Sequence, residues 1–207
     1  MVENGTACVG AVILAAGSSS RMGSPKQALR YQGESLLRRA ALAALSAGCS
    51  PVVVVTGANA ELSRRELNGL TVREVSNPLW ATGMASSIRA GVEGLVVANP
   101  NAAAAVLMLC DQPHVTARII SALVAAHRAT RSPVVASTYG GSFGVPALFG
   151  KTLFPELTRF EGGSSGAKDI IKRYASEAHF LPFRRGEVDV DTPDDFARLK
   201  AEDIEQE

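Results

Sequence analysis

A short segment near the start of the chain combines small residues with positive charge. After the apolar residues 9–15 come Gly17 and Gly23, with serines between them and with Arg21 and Lys26 close by. Small residues let backbone N–H groups approach a ligand closely, and glycine permits the positive φ that such a loop needs. Because backbone donors and fixed positive charge together suit phosphates, the segment predicts a polyphosphate site.

This loop fits neither of the common nucleotide-binding patterns. Serines follow Gly17, so the dinucleotide pattern G-x-G-x-x-G is absent, and Lys26 follows Pro25, so the Gly-Lys pair of a P-loop is absent too. Dinucleotide binding and P-loop nucleotide hydrolysis therefore lose their usual support. A plain strand-to-helix turn is the alternative, but such turns rarely contain so many small or cationic residues.

Aspartates elsewhere in the chain could hold a metal ion against the phosphates. Asp111 directly follows the apolar residues 104–110, and Asp189 and Asp191 flank Val190. In an extended segment, alternation places the last two carboxylates on one side, where they repel unless a cation or solvent screens them. We predict Mg²⁺ at Asp111 and a cation at the Asp189–Asp191 pair. The alternatives are a solvated turn and a helix cap.

Two segments, around Ser142 and Ser164, match the G-x-S-x-G pattern of serine hydrolases. That pattern requires a strand, a sharp turn and then a helix. An apolar run typical of a strand follows Ser142, and residues unsuited to a central strand precede Ser164. We therefore predict that residues 140–144 and 162–166 are loops. We place them near an acceptor substrate, that is, a second molecule that would receive a group from the ligand of the polyphosphate site.

The remaining chain alternates between buried-strand patterns and helical patterns. Strands are predicted at residues 9–15, 51–56, 71–75, 104–110, 133–138, 145–149 and 178–183, and helices at 35–47, 60–67, 84–95, 117–127, 164–175 and 193–201. Ser86 and Ser87 are expected to cap the helix at 84–95. The alternation predicts a Rossmann-like, three-layer α/β/α fold with a mostly parallel sheet. Ligands bind beyond the carboxyl ends of such strands, which puts residues 17–26, residues 77–87 and Asp111 at one edge.

Composition narrows the class of protein. A chain of 207 residues suffices for one well-buried domain and is short for two, and a net charge of +1 gives no sign of a nucleic-acid surface. Scattered cysteines favour a reducing cytoplasm. The first residues lack the pattern of a signal peptide, and the longest apolar runs are strand-sized, so we expect no membrane span.

Four motifs, in this order, resemble the nucleotidyltransferases that act on the molybdenum cofactor. They are Leu14-Ala15-Ala16-Gly17-x-Ser19-x-Arg21-Met22-Gly23-x-x-Lys26, Asn77-Pro78-x-x-x-x-Gly83-Met84-x-x-Ser87-Ile88-x-Ala90-Gly91, Asp111-Gln112-Pro113 and Asp189-x-Asp191-Thr192-Pro193-x-Asp195. The resemblance covers residues 9–199, nearly the whole chain. Ala15-Ala16 and Gln112 are similar to the cytidylyltransferase branch rather than to the guanylyl-transferring one.

The resemblance implies a single nucleotidyltransferase domain over residues 1–207, with a nucleotide half at about 9–110 and an acceptor half at about 111–201. It implies Mg²⁺-dependent transfer of CMP from CTP to the terminal phosphate of molybdopterin, with a molybdoenzyme as a protein partner. The implied nucleotide-binding residues are Leu14, Ala15, Ala16, Gly17, Ser19, Arg21, Gly23, Lys26, Asn77, Gly83 and Ser87. The implied catalytic residues are Arg21, Lys26 and Asp111, and the implied metal ligands are Asp111, Asp189 and Asp191.

The chain departs from the family pattern in its acceptor half. Val145 stands where the family often has His or Asn, and Ser164-Ser165 stands where it often has Asp-Lys. Another phosphorylated acceptor, such as a sugar phosphate or a phospholactate, and GTP as the donor therefore remain alternatives. A non-catalytic nucleotide-binding maturation factor is the alternative from a different class.

Overall fold

The computed structural model describes residues 8–161 and 166–204. Within them the strands are β1 (Val9–Leu14), β2 (Arg30–Tyr31), β3 (Glu34–Ser35), β4 (Val52–Thr56), β5 (Arg73–Ser76), β6 (Ala104–Leu109), β7 (Val134–Tyr139), β8 (Ser142–Gly150) and β9 (His179–Pro182). The α-helices are α1 (Leu36–Ser46), α2 (Ala60–Glu66), α3 (Met84–Ala98), α4 (Ala117–Thr130), α5 (Phe154–Arg159), α6 (Ala167–Arg173) and α7 (Pro193–Ile204).

The centre of the described fold is a seven-stranded sheet in the order β5-β4-β1-β6-β8-β7-β9. β8 runs antiparallel to β6 and β7, and the other neighbouring strands are parallel. β1 lies between β4 and β6, with Ala11 opposite both Val52 and Val106. A strand with neighbours on both edges and helices over both faces must be apolar throughout, and every residue of β1 is buried.

Each face of the sheet has its own hydrophobic core. Ala11 and Ile13 pack with residues of α1 and α4 on one face. Val12 packs with residues of α3, α5 and α6 on the other. A Cβ at Gly91 would meet the side chains of Val12 and Val55, so the glycine lets α3 lie close to the sheet. These layers confirm the predicted three-layer α/β/α fold with a mostly parallel sheet.

The largest difference from the predicted elements concerns β8. It spans Ser142–Gly150 rather than residues 145–149, because Gly140 and Gly141 form a tight turn with positive φ that pairs β8 directly with β7. The predicted loop at 140–144 is therefore wrong from Ser142 onward. Since Ser142 is the first residue of a strand and no helix follows it directly, it does not form a hydrolase-type nucleophile elbow.

The second G-x-S-x-G segment is only partly described. Residues 162–165, including Ser164 and Ser165, lie outside the described residues, and Gly166 precedes α6. The sequence also missed α5 and the β2–β3 hairpin, which are too short to carry a clear hydrophobic period. Among the described residues, none of the helices has the length and apolar character needed to span a membrane.

Candidate active site

The loop after β1, the first turn of α3 and the residue after β6 enclose a cleft of about 330 Å³. Of the residues predicted from sequence, the following line it: Leu14, Ala15, Ala16, Gly17, Ser19, Arg21, Lys26, Gly83, Ser87, Asp111 and Asp191. Gly23, Asn77 and Asp189 lie outside this lining. The cleft is at the carboxyl ends of β1 and β6, where an open α/β sheet binds ligands.

The loop after β1 is held in shape by its own neighbours. Gln27 is buried, and its Nε2 donates to the carbonyl oxygens of Ala15 at 2.9 Å and Gly17 at 3.0 Å. Ser19 has a φ of 60°, and its Oγ accepts a hydrogen bond from Lys26 N at 3.0 Å. Sequence reasoning missed Gln27, because nothing in the sequence distinguishes it from an exposed glutamine.

Helix α3 begins at the cleft without a side-chain cap. Gly83 precedes it with φ 118° and ψ 176°, a conformation that favours glycine. The predicted capping by serines is wrong: Ser86 Oγ donates to the carbonyl oxygens of Leu79 and Gly83, and Ser87 Oγ accepts from Asn77 Nδ2. The amino-terminal end of this 15-residue helix therefore faces the cleft uncapped, where it favours an anion.

Asn77 supports that first turn from behind the cleft. It is buried, its Nδ2 donates to Ser86 Oγ at 2.9 Å and Ser87 Oγ at 3.0 Å, and its Oδ1 accepts from Leu79 N at 2.9 Å. With its amide used in this way, Asn77 positions Ser87 and the start of α3.

Acidic and basic side chains meet inside the cleft. Lys26 Nζ donates to Asp111 Oδ2 at 2.9 Å and also to Asp191 Oδ1, and Arg21 Nη2 lies 2.7 Å from Asp191 Oδ2. Val190 N donates to the carbonyl oxygen of Asp111 at 3.0 Å, and the Val190 side chain is fully buried. The structure thus brings residues from the first, middle and last parts of the chain into one charge cluster.

The segment before α7 is fixed by reciprocal capping. Asp195 Oδ2 accepts from Thr192 N at 2.7 Å and from Asp191 N at 3.2 Å, and Asp195 N donates to Thr192 Oγ1 at 3.2 Å. Each side chain satisfies a backbone N–H group at the helix start. The last sequence motif therefore combines a carboxylate in the cleft, Asp191, with the cap that holds its backbone.

The pKa values of two residues in the cleft limit the chemistry. Burial alone would lower the pKa of Lys26, but Asp111 and Asp191 outweigh it and raise that pKa above its usual value, so Lys26 stays charged. Burial raises the pKa of the Cys110 thiol, with a further contribution from Asp111. A protonated thiol is a poor nucleophile, so Cys110 is a wall of the cleft and Lys26 is an electrostatic group.

Asp189 lies beside this cluster at an energetic cost. Although the residue has exposed surface, protein atoms around its carboxylate remove part of its hydration, and Asp111 adds repulsion. Together these effects raise the pKa of Asp189 to about 6. A carboxylate whose ionised form is destabilised in this way is typical of a site that binds a cation.

Asp189→Asn should raise the melting temperature at pH 8 in the presence of a chelator. The pKa of Asp189 is raised from 3.8 to about 6 on folding, so ionisation of Asp189 destabilises the folded protein increasingly from about pH 4 to pH 6 and by a constant amount at higher pH. That penalty disappears below pH 4, where the carboxyl group is protonated in both states. Thermal melts from pH 4 to 8 should show a gain that grows between about pH 4 and pH 6 and is then constant, and the exposed Glu177→Gln should show none. Equal melting temperatures of Asp189→Asn and the wild type at pH 8 would contradict the predicted penalty for ionising Asp189.

The oxygen donors of the cluster suit a divalent metal ion. Asp111 Oδ1 is buried and has no hydrogen-bond partner among the described residues. Within residues 8–161 and 166–204, no group of three or more His, Cys, Asp or Glu side chains is arranged to hold a metal. Mg²⁺ commonly takes one or two carboxylates and completes its coordination with water and substrate phosphates, and Asp111 with Asp189 or Asp191 fits that pattern.

A family model described as MobA-like NTP transferase domain matches residues 11–178. The chain is 33% identical over 172 residues to nicotine blue oxidoreductase from Paenarthrobacter nicotinovorans, covering 80% of this chain and 82% of the relative. It is 26% identical over 192 residues to molybdenum cofactor cytidylyltransferase from Escherichia coli (strain K12), covering 91% and 94%.

Solved structures of similar proteins have the same fold. The crystal structure of Rv0371c from Mycobacterium tuberculosis H37Rv is similar with a TM-score of 0.77 and 31% identity, over 94% of this chain and 98% of that one. A structure of Rv0371C in complex with manganese gives a TM-score of 0.70 at 30% identity, over 93% and 97%. Because the family model covers most of the chain and these similarities extend over nearly all of it, the protein is a nucleotidyltransferase of the MobA-like NTP transferase family.

Proposed function

We propose that the protein transfers CMP from CTP to the terminal phosphate of molybdopterin and releases pyrophosphate. The observation that carries this proposal is the contact of Lys26 with Asp111 and Asp191 inside a cleft bordered by the small-residue loop and the start of α3. Backbone donors, fixed cations and carboxylates are the groups that a triphosphate and its metal ion require. The similarity to a molybdenum cofactor cytidylyltransferase supports the choice of donor and acceptor.

Catalysis by these residues rests on positioning and charge neutralisation. An oxygen of the acceptor phosphate bonds to the α-phosphorus of CTP while the bond to the bridging oxygen of pyrophosphate breaks. A phosphate monoester, with a second pKa of about 6, is largely ionised at neutral pH and needs no general base. Lys26 and Arg21 offset the charge of the triphosphate, and the small-residue loop and the start of α3 orient it. Mg²⁺ held by Asp111 with Asp189 or Asp191 would neutralise further phosphate charge.

The proposed preference for cytosine rests on the resemblance of Ala15 and Ala16 to the cytidylyltransferase branch, and both residues line the cleft. Gln112 supports it less directly. Its Nε2 donates to the carbonyl oxygens of Val145 at 3.2 Å and Gly186 at 3.3 Å, both in the acceptor half. Gln112 therefore acts on the arrangement of the acceptor half, and the base preference depends on the loop after β1.

An oxidoreductase is the second candidate, and the 33% identity to nicotine blue oxidoreductase is the observation that favours it. The cluster of Lys26, Asp111 and Asp191 favours group transfer instead. Its carboxylates would repel phosphates unless a metal ion joined them, and a metal ion bound to phosphates is typical of nucleotidyl transfer. Pyrophosphate release is the product that separates the two activities.

The test combines the purified protein with each of CTP, GTP, ATP and UTP, with Mg²⁺ or Mn²⁺, and with molybdopterin prepared with and without molybdenum. We expect pyrophosphate release only when CTP and molybdopterin are both present, together with a product heavier than the acceptor by one CMP moiety. Pyrophosphate release with GTP and with none of the other nucleotides would show that GTP is the donor. Release with a sugar phosphate or phospholactate instead of molybdopterin would show that the acceptor is different. Reduction of nicotine blue by NADH or NADPH without pyrophosphate release would favour the oxidoreductase, and nucleotide binding without either reaction would favour a maturation factor.

A further inference from the structure

A second pocket of about 160 Å³ adjoins the cleft described above. The two cavities share Leu14, Met84 and Leu109 as lining residues. The far wall of the second pocket comes from β7 and β8 and includes Tyr139 and Phe143. A ligand in the second pocket would therefore lie next to a nucleotide in the cleft.

The walls of this second pocket are apolar and fixed by their neighbours. Tyr139 Oη donates to the carbonyl oxygen of Val145 at 3.2 Å, and a Cβ at Gly144 would meet that hydroxyl, so the tyrosine ring lies close over the β8 backbone. Phe143 packs against Phe180 with 5.6 Å between ring centroids. A preformed apolar slot with aromatic walls suits a planar ring.

The positively charged side chain of Lys168 lies at the edge of this second pocket. Lys168, in the first turn of α6, is exposed, and its Nζ lies 5.7 Å from the Phe143 ring centroid and donates to Ser142 Oγ at 2.7 Å. Over the residues that the structure describes, Lys168 forms no salt bridge with a carboxylate. Its charge is therefore open to an anionic ligand, and the hydroxyl of Ser142 holds it in place.

We propose that Lys168 binds an anionic group of the acceptor whose planar ring occupies this second pocket. The proposal rests on the proposed function in one respect: it takes the second pocket to be where the acceptor enters. Val145 also lines the pocket, so a ring there is held by contact with its faces and less by polar groups at its edges. Lys168 supplies the charge that fixes how such a ring is oriented.

The test is a fluorescence titration of the protein, with and without CTP, using two ligands that share a ring system. Pterin-6-carboxylate carries a negative charge, and 6-hydroxymethylpterin is neutral at pH 7. Lys168→Met should weaken binding of the carboxylate about 10-fold, the scale of one charge-assisted contact, and change binding of the neutral ligand less than about twofold. Lys168→Arg should retain most of the affinity for the carboxylate. Lys172→Met, an exposed lysine one turn along the same helix, should bind both ligands like the wild type.

Equal losses for the two ligands would show that Lys168 only maintains the pocket, and unchanged affinities would show that it does not bind the anion. Failure of the wild-type protein to bind either ligand would also overturn the proposal. The titration involves no turnover, so its result is separate from the pyrophosphate assay. Binding that depends on Lys168 in a protein that releases no pyrophosphate with molybdopterin would refute the proposed transfer and leave the ring-and-anion site standing.

Discussion

Asp111→Ala should lower kcat/KM for CTP by several orders of magnitude at every Mg²⁺ concentration. Asp111 Oδ2 accepts a hydrogen bond from Lys26 Nζ at 2.9 Å, and its Oδ1 is buried without a hydrogen-bond partner among the described residues. An acceptor atom desolvated in this way is poised for a cation from outside the chain. Under the proposed function, loss of the carboxylate therefore removes a metal ligand and leaves Asp191 as the remaining carboxylate that contacts Lys26.

Asp111→Asn distinguishes lost charge from lost packing, because it keeps the volume of the side chain. It should reduce turnover nearly as far as alanine does, whereas Asp194→Asn, an exposed aspartate in the first turn of α7, should leave it unchanged. Steady-state kinetics across a wide range of Mg²⁺ and Mn²⁺, with circular dichroism to verify folding, provide the measurement. Near-normal turnover by Asp111→Ala would show that this residue is not required to bind the metal.

The sheet could be predicted from sequence because its central strands have a distinctive composition. A strand such as β1, buried on both faces between parallel neighbours, must be apolar without alternation, and the run at residues 9–15 has that pattern. The order of strands and helices then gives the α/β/α layers and the edge at which ligands bind. Asp111 could be placed at that edge because it follows an equally apolar strand.

The parts of the fold and of the candidate site that could not be predicted depend on tertiary contacts that no local sequence pattern encodes. The antiparallel pairing of β8 follows from a tight turn at Gly140 and Gly141, which reads equally well as a loop in the sequence. Gln27 and Asn77 shape the cleft through buried amides, and burial of one polar side chain depends on tertiary packing. The sequence placed Asp189 and Asp191 in one extended segment but could not show that the contact of Val190 with the backbone of Asp111 sets that segment beside Lys26.

Lys26→Ala should cost about 2–4 kcal/mol of transition-state stabilisation, or roughly 30- to 1,000-fold in kcat/KM, on the scale of one lost electrostatic donor. Asp111 and Asp191 keep the lysine charged and aimed into the cleft, where the proposed reaction redistributes the charge of the triphosphate as pyrophosphate leaves. Lys26→Arg should restore little activity, because a planar guanidinium does not reproduce the compact contact of an ammonium with both carboxylates. Steady-state kinetics for CTP are the measurement.

Part of that loss could arise because the substitution leaves Asp111 and Asp191 facing each other without a cation between them. Combining Lys26→Ala with Asp191→Asn removes that repulsion, and we expect it to recover stability but not turnover if the lysine acts on the transition state. Lys151→Ala is the matched control, since Lys151 is exposed and its Nζ donates to the carbonyl oxygen of Pro100. An unchanged kcat/KM in Lys26→Ala, or full recovery in the double variant, would assign to Lys26 only the structural task of separating two carboxylates.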